Sequence, residues 1–332
     1  MKYLTFAYRQ APHELRPGVL HTGRVFDLNG LSAWAESARG LPSEFDYGSL
    51  FEVINAGPAA WQQAQSLLAA AEGQTPADLT GPNGLPVAPA LEEVLLYPPL
   101  PRPLTLRDFY AFEGHVAAAH ANRGKNVPPE WYRFPVFYFS NPNSVYGHGE
   151  QAPYPARTQA LDYELEVACV IGQPGVNIPA EQAEAYIFGY MIFTDWSARD
   201  LQAEEMRVGL GPAKGKDFAS SLGPWIVTPD ALAARATGRP GVYNLEMTAR
   251  VNGVERSRGN WRDLHYSFGE MIARASQDTY LLPGDVLGSG TVGGGCLLEL
   301  TAGKGPWLQP GDEVELEIEL IGTLTNRIHS KV

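Results

Sequence analysis

Residues 161–171 read Leu-Asp-Tyr-Glu-Leu-Glu-Val-Ala-Cys-Val-Ile, and this segment constrains the chain more than any other. Acids at every second position run straight into an unbroken apolar stretch. In a strand, period two puts Asp162, Glu164 and Glu166 on one face and turns Leu165 and Val167 to the other. Like charges side by side repel, while the apolar continuation draws the strand into a core. A solvated sheet edge relieves that conflict, and so does a bound cation; the segment taken alone allows both.

Two further acidic elements bear on the choice. Asp195 ends the apolar run Ile192-Phe193-Thr194, where a strand turns into a helix; an aspartate there also serves as an ordinary N-cap. Asp108 stands in Arg107-Asp108-Phe109-Tyr110, directly after a proline-rich stretch. That stretch, Thr75 to Pro103, holds prolines at 76, 82, 86, 89, 98, 99, 101 and 103, a density that disfavours helix and central strand and reads as a linker.

The 332 residues predict about two domains. The expected division is a small N-terminal β-rich domain with the linker over 1–103, and a larger catalytic domain over 104–332. Short strands are expected around Tyr3–Tyr8 and Leu20–Leu28, then a helix over Ala59–Ala71 that stops at Gly73. Pro179–Gly189 reads as a helix and Tyr190–Phe193 as the strand delivering Asp195. Val314, Leu316, Ile318 and Leu320 alternate with Glu313, Glu315, Glu317 and Glu319, the pattern of a strand with one wet face. With 35 glycines and 27 prolines punctuating many short segments, the fold class is mainly β with some α.

A formal net charge of −12 argues against a phosphate-binding surface, so no nucleic-acid partner is expected. Cys169 and Cys296 are too few for a disulfide framework or a thiolate zinc site. No apolar run approaches the ~18 residues of a membrane span, and the first residues form no signal-peptide core. These features predict a cytoplasmic protein without a membrane partner.

Several pieces together resemble the fumarylacetoacetate hydrolase family. They are Asp108-Phe109-Tyr110 with His115, the segment from Leu161 to Glu166, Thr194-Asp195-Trp196-Ser197-Ala198-Arg199-Asp200-Leu201-Gln202, Gly215-Lys216, Gly288-Ser289-Gly290-Thr291 and Gly322-Thr323-Leu324, in family order over about residues 104–330. The resemblance implies a mixed β-roll catalytic domain, a homodimer, and one divalent cation held by Asp108, Glu164, Glu166 and Asp195. Four hard oxygen donors suit magnesium first, with calcium or manganese as alternatives, rather than zinc.

The resemblance also implies roles for other residues. His115 and Glu299 match a water-activating pair, in which a carboxylate orients the imidazole and steadies its charged form. Arg199 and Gln202, three apart on a helix face, match groups that bind the substrate's carboxylate and oxyanion. Lys216 matches a residue that stabilises developing negative charge. Tyr110, Tyr138 and Thr291 match substrate contacts, whereas His120 reads as solvated. The chain departs from the fumarylacetoacetase branch at Met206-Arg207, where that branch carries a substrate-contacting tyrosine, and over His120–Arg133.

The function implied is hydrolysis of a carbon–carbon bond in a 1,3-diketo acid of fumarylacetoacetate or acylpyruvate type, in aromatic amino acid catabolism. Relatives on this scaffold also isomerise, decarboxylate or hydrate small keto and enol diacids, which is the first alternative. A non-catalytic protein that binds a metal and a diacid is the second.

Overall fold

The computed structural model describes residues 1–329 apart from 43, 46, 82 and 83. Pro82 of the proline-rich stretch and the last three residues of the 104–332 unit thus lie outside the described residues. The architecture is sheet-dominated with some helices, as the composition predicts. Its main sheet has eleven strands. In spatial order the principal nine are Arg24–Asp27, Arg16–His21, Lys2–Tyr8, Ser220–Val227, Ile187–Asp195, Glu166–Ile171, Val286–Gly288, Leu106–Phe109 and Phe137–Ser140. A five-stranded sheet contains Glu313–Ile318 and Gly322–Ile328.

Both faces of the main sheet are covered, which explains why its central strands are apolar without alternation. In Glu166–Ile171, Val167, Cys169 and Ile171 point into a core shared with Tyr190, Trp261 and Phe268. Ala168 and Val170 point the other way, toward Leu31, Trp34, Val53 and Leu67 from the N-terminal helices. The N-terminal strand joins this same sheet, with Tyr3 opposite Ile226. Within the proline-rich stretch, Val94–Tyr97 also pairs with it, Phe6 facing Leu96.

Local boundaries differ from the sequence reading in four places. The strand expected over Leu20–Leu28 is two strands, because Thr22 and Gly23 take positive φ of 48° and 78° and reverse the chain. The helices Leu28–Arg39 and Leu50–Asn55 accompany the expected one, which spans Pro58–Ala71. The helix expected over Pro179–Gly189 is a 3₁₀ segment, Ala180–Tyr186, and the strand begins at Ile187. The alternating strand of the second sheet stops at Ile318, since Leu320 has φ 65° in the turn that follows.

The segment that opened the sequence reading is bent rather than a single strand. Leu161–Asp162 pairs with Ser197–Ala198, and the main-sheet strand starts only at Glu166. Between them, the Leu165 N–H is donated to the Gly295 carbonyl and the Val292 N–H to the Leu165 carbonyl, so the acids do not share one continuous face.

Candidate metal centre and active site

Three adjacent parts of the main sheet bring acids to one end. Asp195 closes its strand, Glu166 opens the neighbouring one opposite Phe193, and Asp108 sits beside Gly288. Gly288 permits this approach: a Cβ there would stand 2.7 Å from Asp108 Oδ1. The Gly290 N–H then bridges the pair, donating to Asp108 Oδ1 at 3.2 Å and to Glu166 Oε2 at 2.9 Å.

Carboxylate oxygens of Asp108, Glu164 and Glu166 lie within 4.8 Å of one another. Asp195 falls outside that tight group but is tied to it by Lys216, whose Nζ is 2.7 Å from Glu164 Oε2 and 2.7 Å from Asp195 Oδ2. The Tyr138 hydroxyl donates to Asp195 Oδ2. Arg199 holds the other oxygen of Glu164 at 2.8 Å and Asp162 at 2.9 Å, and donates to the Gln202 side-chain oxygen at 3.2 Å.

The buried acids of the site outnumber its buried cations. Asp108, Asp162, Glu164, Glu166 and Asp195 are all buried, and among the described residues Lys216 and Arg199 are the buried cations paired with them. Burial pushes Asp108, Glu166 and Asp195 above the usual carboxylate range, and repulsion from neighbouring carboxylates adds to the effect. Burial acts on Glu164 in the same direction, but Lys216, Arg199 and His115 outweigh it and hold the carboxylate below its ordinary range. Glu166 Oε1 and Asp195 Oδ1 are buried with no hydrogen-bond partner among the described residues. Leaving buried carboxylate oxygens unpaired is costly, and an oxygen-only donor set with two such atoms fits a hard divalent cation.

His115 lies in the first turn of the helix Glu113–Ala121, and Glu299 on the single-turn helix Leu297–Leu300. His115 Nδ1 is 2.5 Å from Glu299 Oε1, and the Gly294 N–H is donated to Glu299 Oε2 at 2.9 Å. With Nδ1–H committed to the carboxylate, Nε2 is the free acceptor. Tyr110 stands edge-on to the imidazole at 5.2 Å.

Asp108, Tyr110, His115, Tyr138, Glu164, Arg199 and Lys216 line one cavity of about 420 Å³, together with Thr291, Gln202, Met206 and Leu210. Thr291 Oγ1 is buried and unpartnered among the described residues, as is Arg199 Nη2. The cavity therefore gathers every site residue expected from the sequence except Glu166, Asp195 and Glu299, each of which lies close to a lining residue: Asp108, Lys216 and His115 respectively.

Three residues stand where the sequence reading did not put them. Asp162 faces away from the acidic cluster and accepts the Leu297 and Leu298 N–H groups at 2.8 and 3.0 Å, capping the helix that carries Glu299. His120, expected to be solvated, lines the cavity with Nδ1 buried and unpartnered among the described residues; burial lowers its pKa, with Arg123 and Lys125 adding to the effect. Arg123 also lines the cavity. The signal was the helical recurrence of positions 115, 119 and 123.

The sequence pattern of the family described as fumarylacetoacetate hydrolase, C-terminal, matches residues 105–329. A human mitochondrial oxaloacetate tautomerase is 31% identical over 323 residues, covering 96% of this chain and 90% of that protein. Arabidopsis thaliana fumarylacetoacetase is 33% identical over 243 residues, covering 57% of this chain and 58% of that protein. The chain thus spans less than two thirds of the length of that plant relative. Among solved structures, a fumarylacetoacetate hydrolase from Exiguobacterium antarcticum aligns over 100% of both chains, with TM-score 0.68 and 27% identity. The chain belongs to the fumarylacetoacetate hydrolase family; its relatives include fumarylacetoacetases and oxaloacetate tautomerases, and a Mycobacterium smegmatis 5-carboxymethyl-2-hydroxymuconate delta-isomerase shares the fold at 24% identity and TM-score 0.65. Among the described residues, no helix is long and apolar enough to cross a membrane.

Proposed function

We propose that the chain hydrolyses a carbon–carbon bond in a 1,3-diketo acid, with Asp108, Glu164, Glu166 and Asp195 holding one divalent cation, magnesium in the first instance and calcium or manganese as alternatives. The observation that carries this reading is the His115–Glu299 contact at 2.5 Å beside the buried carboxylates. A hydrolase must deprotonate water, and an oriented imidazole with a free Nε2 does so.

The bound cation supplies Lewis-acid polarisation of the diketo oxygens. The chain's own groups account for the rest. His115 Nε2 takes a proton from water, and Glu299 stabilises the imidazolium that results. The hydroxide formed attacks the distal carbonyl, while Arg199 Nη2, Gln202 and Lys216 face the oxygen that becomes negative. Breaking the carbon–carbon bond releases an enolate, and His115 returns its proton to the departing carbon. Tyr110, Tyr138 and Thr291 orient the keto acid, and Arg123 and His120 offer cationic and polar contacts to a second carboxylate at the far end.

A keto–enol tautomerase of small diacids is the second reading, favoured by the human relative aligned over 96% of this chain. Supplying a panel of acylpyruvates, fumarylacetoacetate and oxaloacetate with magnesium and following products by NMR separates the two. Cleavage into two acids supports the hydrolase; enol–keto exchange with no cleavage of any diketo acid overturns it. A homodimer belongs to the same reading and is tested by sedimentation.

A further inference from the structure

We propose that His115, Cys296 and Glu299 form a second metal site, selective for a thiophilic ion such as zinc, whose occupation switches the chemistry off. The imidazole, thiol and carboxylate each offer a ligand atom, and these atoms lie within 4.8 Å of one another. Cys296 Sγ is 3.5 Å from Glu299 Oε1, the same oxygen that meets His115 Nδ1 at 2.5 Å.

A tetrahedral zinc ion with sulfur at about 2.3 Å and nitrogen and oxygen at about 2.0–2.1 Å keeps its ligand atoms about 3.3–3.6 Å apart. The sulfur–oxygen pair already has that spacing. The nitrogen–oxygen pair has to open by about 0.8 Å, a shift of two buried side chains in which Glu299 Oε1 turns away from the imidazole while Oε2 keeps the Gly294 N–H. Sulfur and imidazole favour zinc or cobalt, whereas the neighbouring all-oxygen cluster favours magnesium or calcium, so the two sites sort ions by ligand type.

The proton balance shows why such binding is inhibitory. The Cys296 thiol gives its proton to solvent and becomes the thiolate ligand. The proton on His115 Nδ1 moves to Nε2 as Nδ1 takes the metal, with no net release. Nε2 then carries a hydrogen and has no lone pair with which to accept a proton from water. This inhibitory consequence rests on the role proposed above for His115; the binding itself does not. Cys169, buried like Cys296 but in no such ligand group among the described residues, supplies an internal control.

The test uses the full chain loaded with magnesium and titrated with cobalt(II). The expected result is a thiolate-to-cobalt charge-transfer absorption that saturates at one equivalent, is displaced by zinc, and is missing in Cys296→Ser. Competition should show zinc held at least ~100-fold more weakly by that variant. Absence of the thiolate band at saturating cobalt in the wild-type chain overturns the proposal whether or not the variant folds, and so does a band that survives in Cys296→Ser. Because the readout needs no substrate, failure of the proposed activity leaves this result interpretable. In the turnover assay, zinc should abolish product formation and chelation should restore it.

Discussion

Asp162 holds Arg199 at 2.9 Å and, with the same carboxylate, the N–H groups of Leu297 and Leu298. One buried acid thereby fixes both the guanidinium on the substrate side and the helix that presents Glu299. Asp162→Asn keeps the shape but removes one of the two carboxylates paired with Arg199, the other being Glu164, and one of the oxygens that accept the Leu297 and Leu298 N–H groups. Breaking a buried pair on one side costs about 3–5 kcal/mol. Denaturant unfolding should show a loss of this order, together with reduced kcat; a variant as stable as the wild type would contradict the assignment.

His115→Ala and Glu299→Gln should each lower turnover about 10²–10⁴-fold while leaving magnesium affinity nearly unchanged. Acting as one unit, the two changes combined should cost little more than the worse of them. Steady-state kinetics of the single and double variants, paired with calorimetric magnesium titrations, provide the check. Additive losses would show that the two residues work separately.

Much of this constellation was legible in the sequence because its parts are local. Glu166 and Asp195 sit at strand ends beside apolar runs, Arg199 and Gln202 share a helical spacing, and Asp108 was placed by the resemblance to the family rather than by a run of its own. The role of Asp162 was not legible. Period two assigns it to the acidic face only if the strand is straight, and the bend at 163–165 is imposed by the Gly295 and Val292 backbone, far away in sequence. The helices at Leu28–Arg39 and Leu50–Asn55 were missed because their apolar positions are set by packing against the sheet. The place of half-buried His120 at the cavity likewise depends on tertiary contacts that no local pattern encodes.

The carboxylate cluster gives stability an unusual pH dependence. The raised pKa values of Asp108, Glu166 and Asp195 mean that their contribution is fully present below about pH 4 and is lost as pH climbs through the raised values. Glu164, with its pKa lowered, stays ionised across that window. Without metal, the chain should therefore lose stability as pH rises above about 4. Magnesium competes with protons for the same oxygens, so the rise in Tm that it produces should grow with pH. Thermal unfolding with chelator and with magnesium across that range is the measurement; a magnesium effect that grows on acidification would contradict the cluster's role.

Gly290 has φ 78°, and a Cβ there would stand 2.5 Å from the Phe109 carbonyl oxygen. Gly290→Ala should cost at least about 1–3 kcal/mol in strain and displace the N–H that bridges Asp108 and Glu166. Magnesium affinity should fall along with stability. Unchanged affinity would mean that this N–H does not position the carboxylates.

The most direct test of the account is calorimetric titration of the metal-stripped chain with magnesium and with manganese. One ion per chain should bind to the wild type, and binding should be lost in Glu166→Gln and in Asp195→Asn while both variants remain folded by circular dichroism. Undiminished binding in both folded variants would show that the buried acids are not the ligands, and the proposed chemistry would lose its foundation.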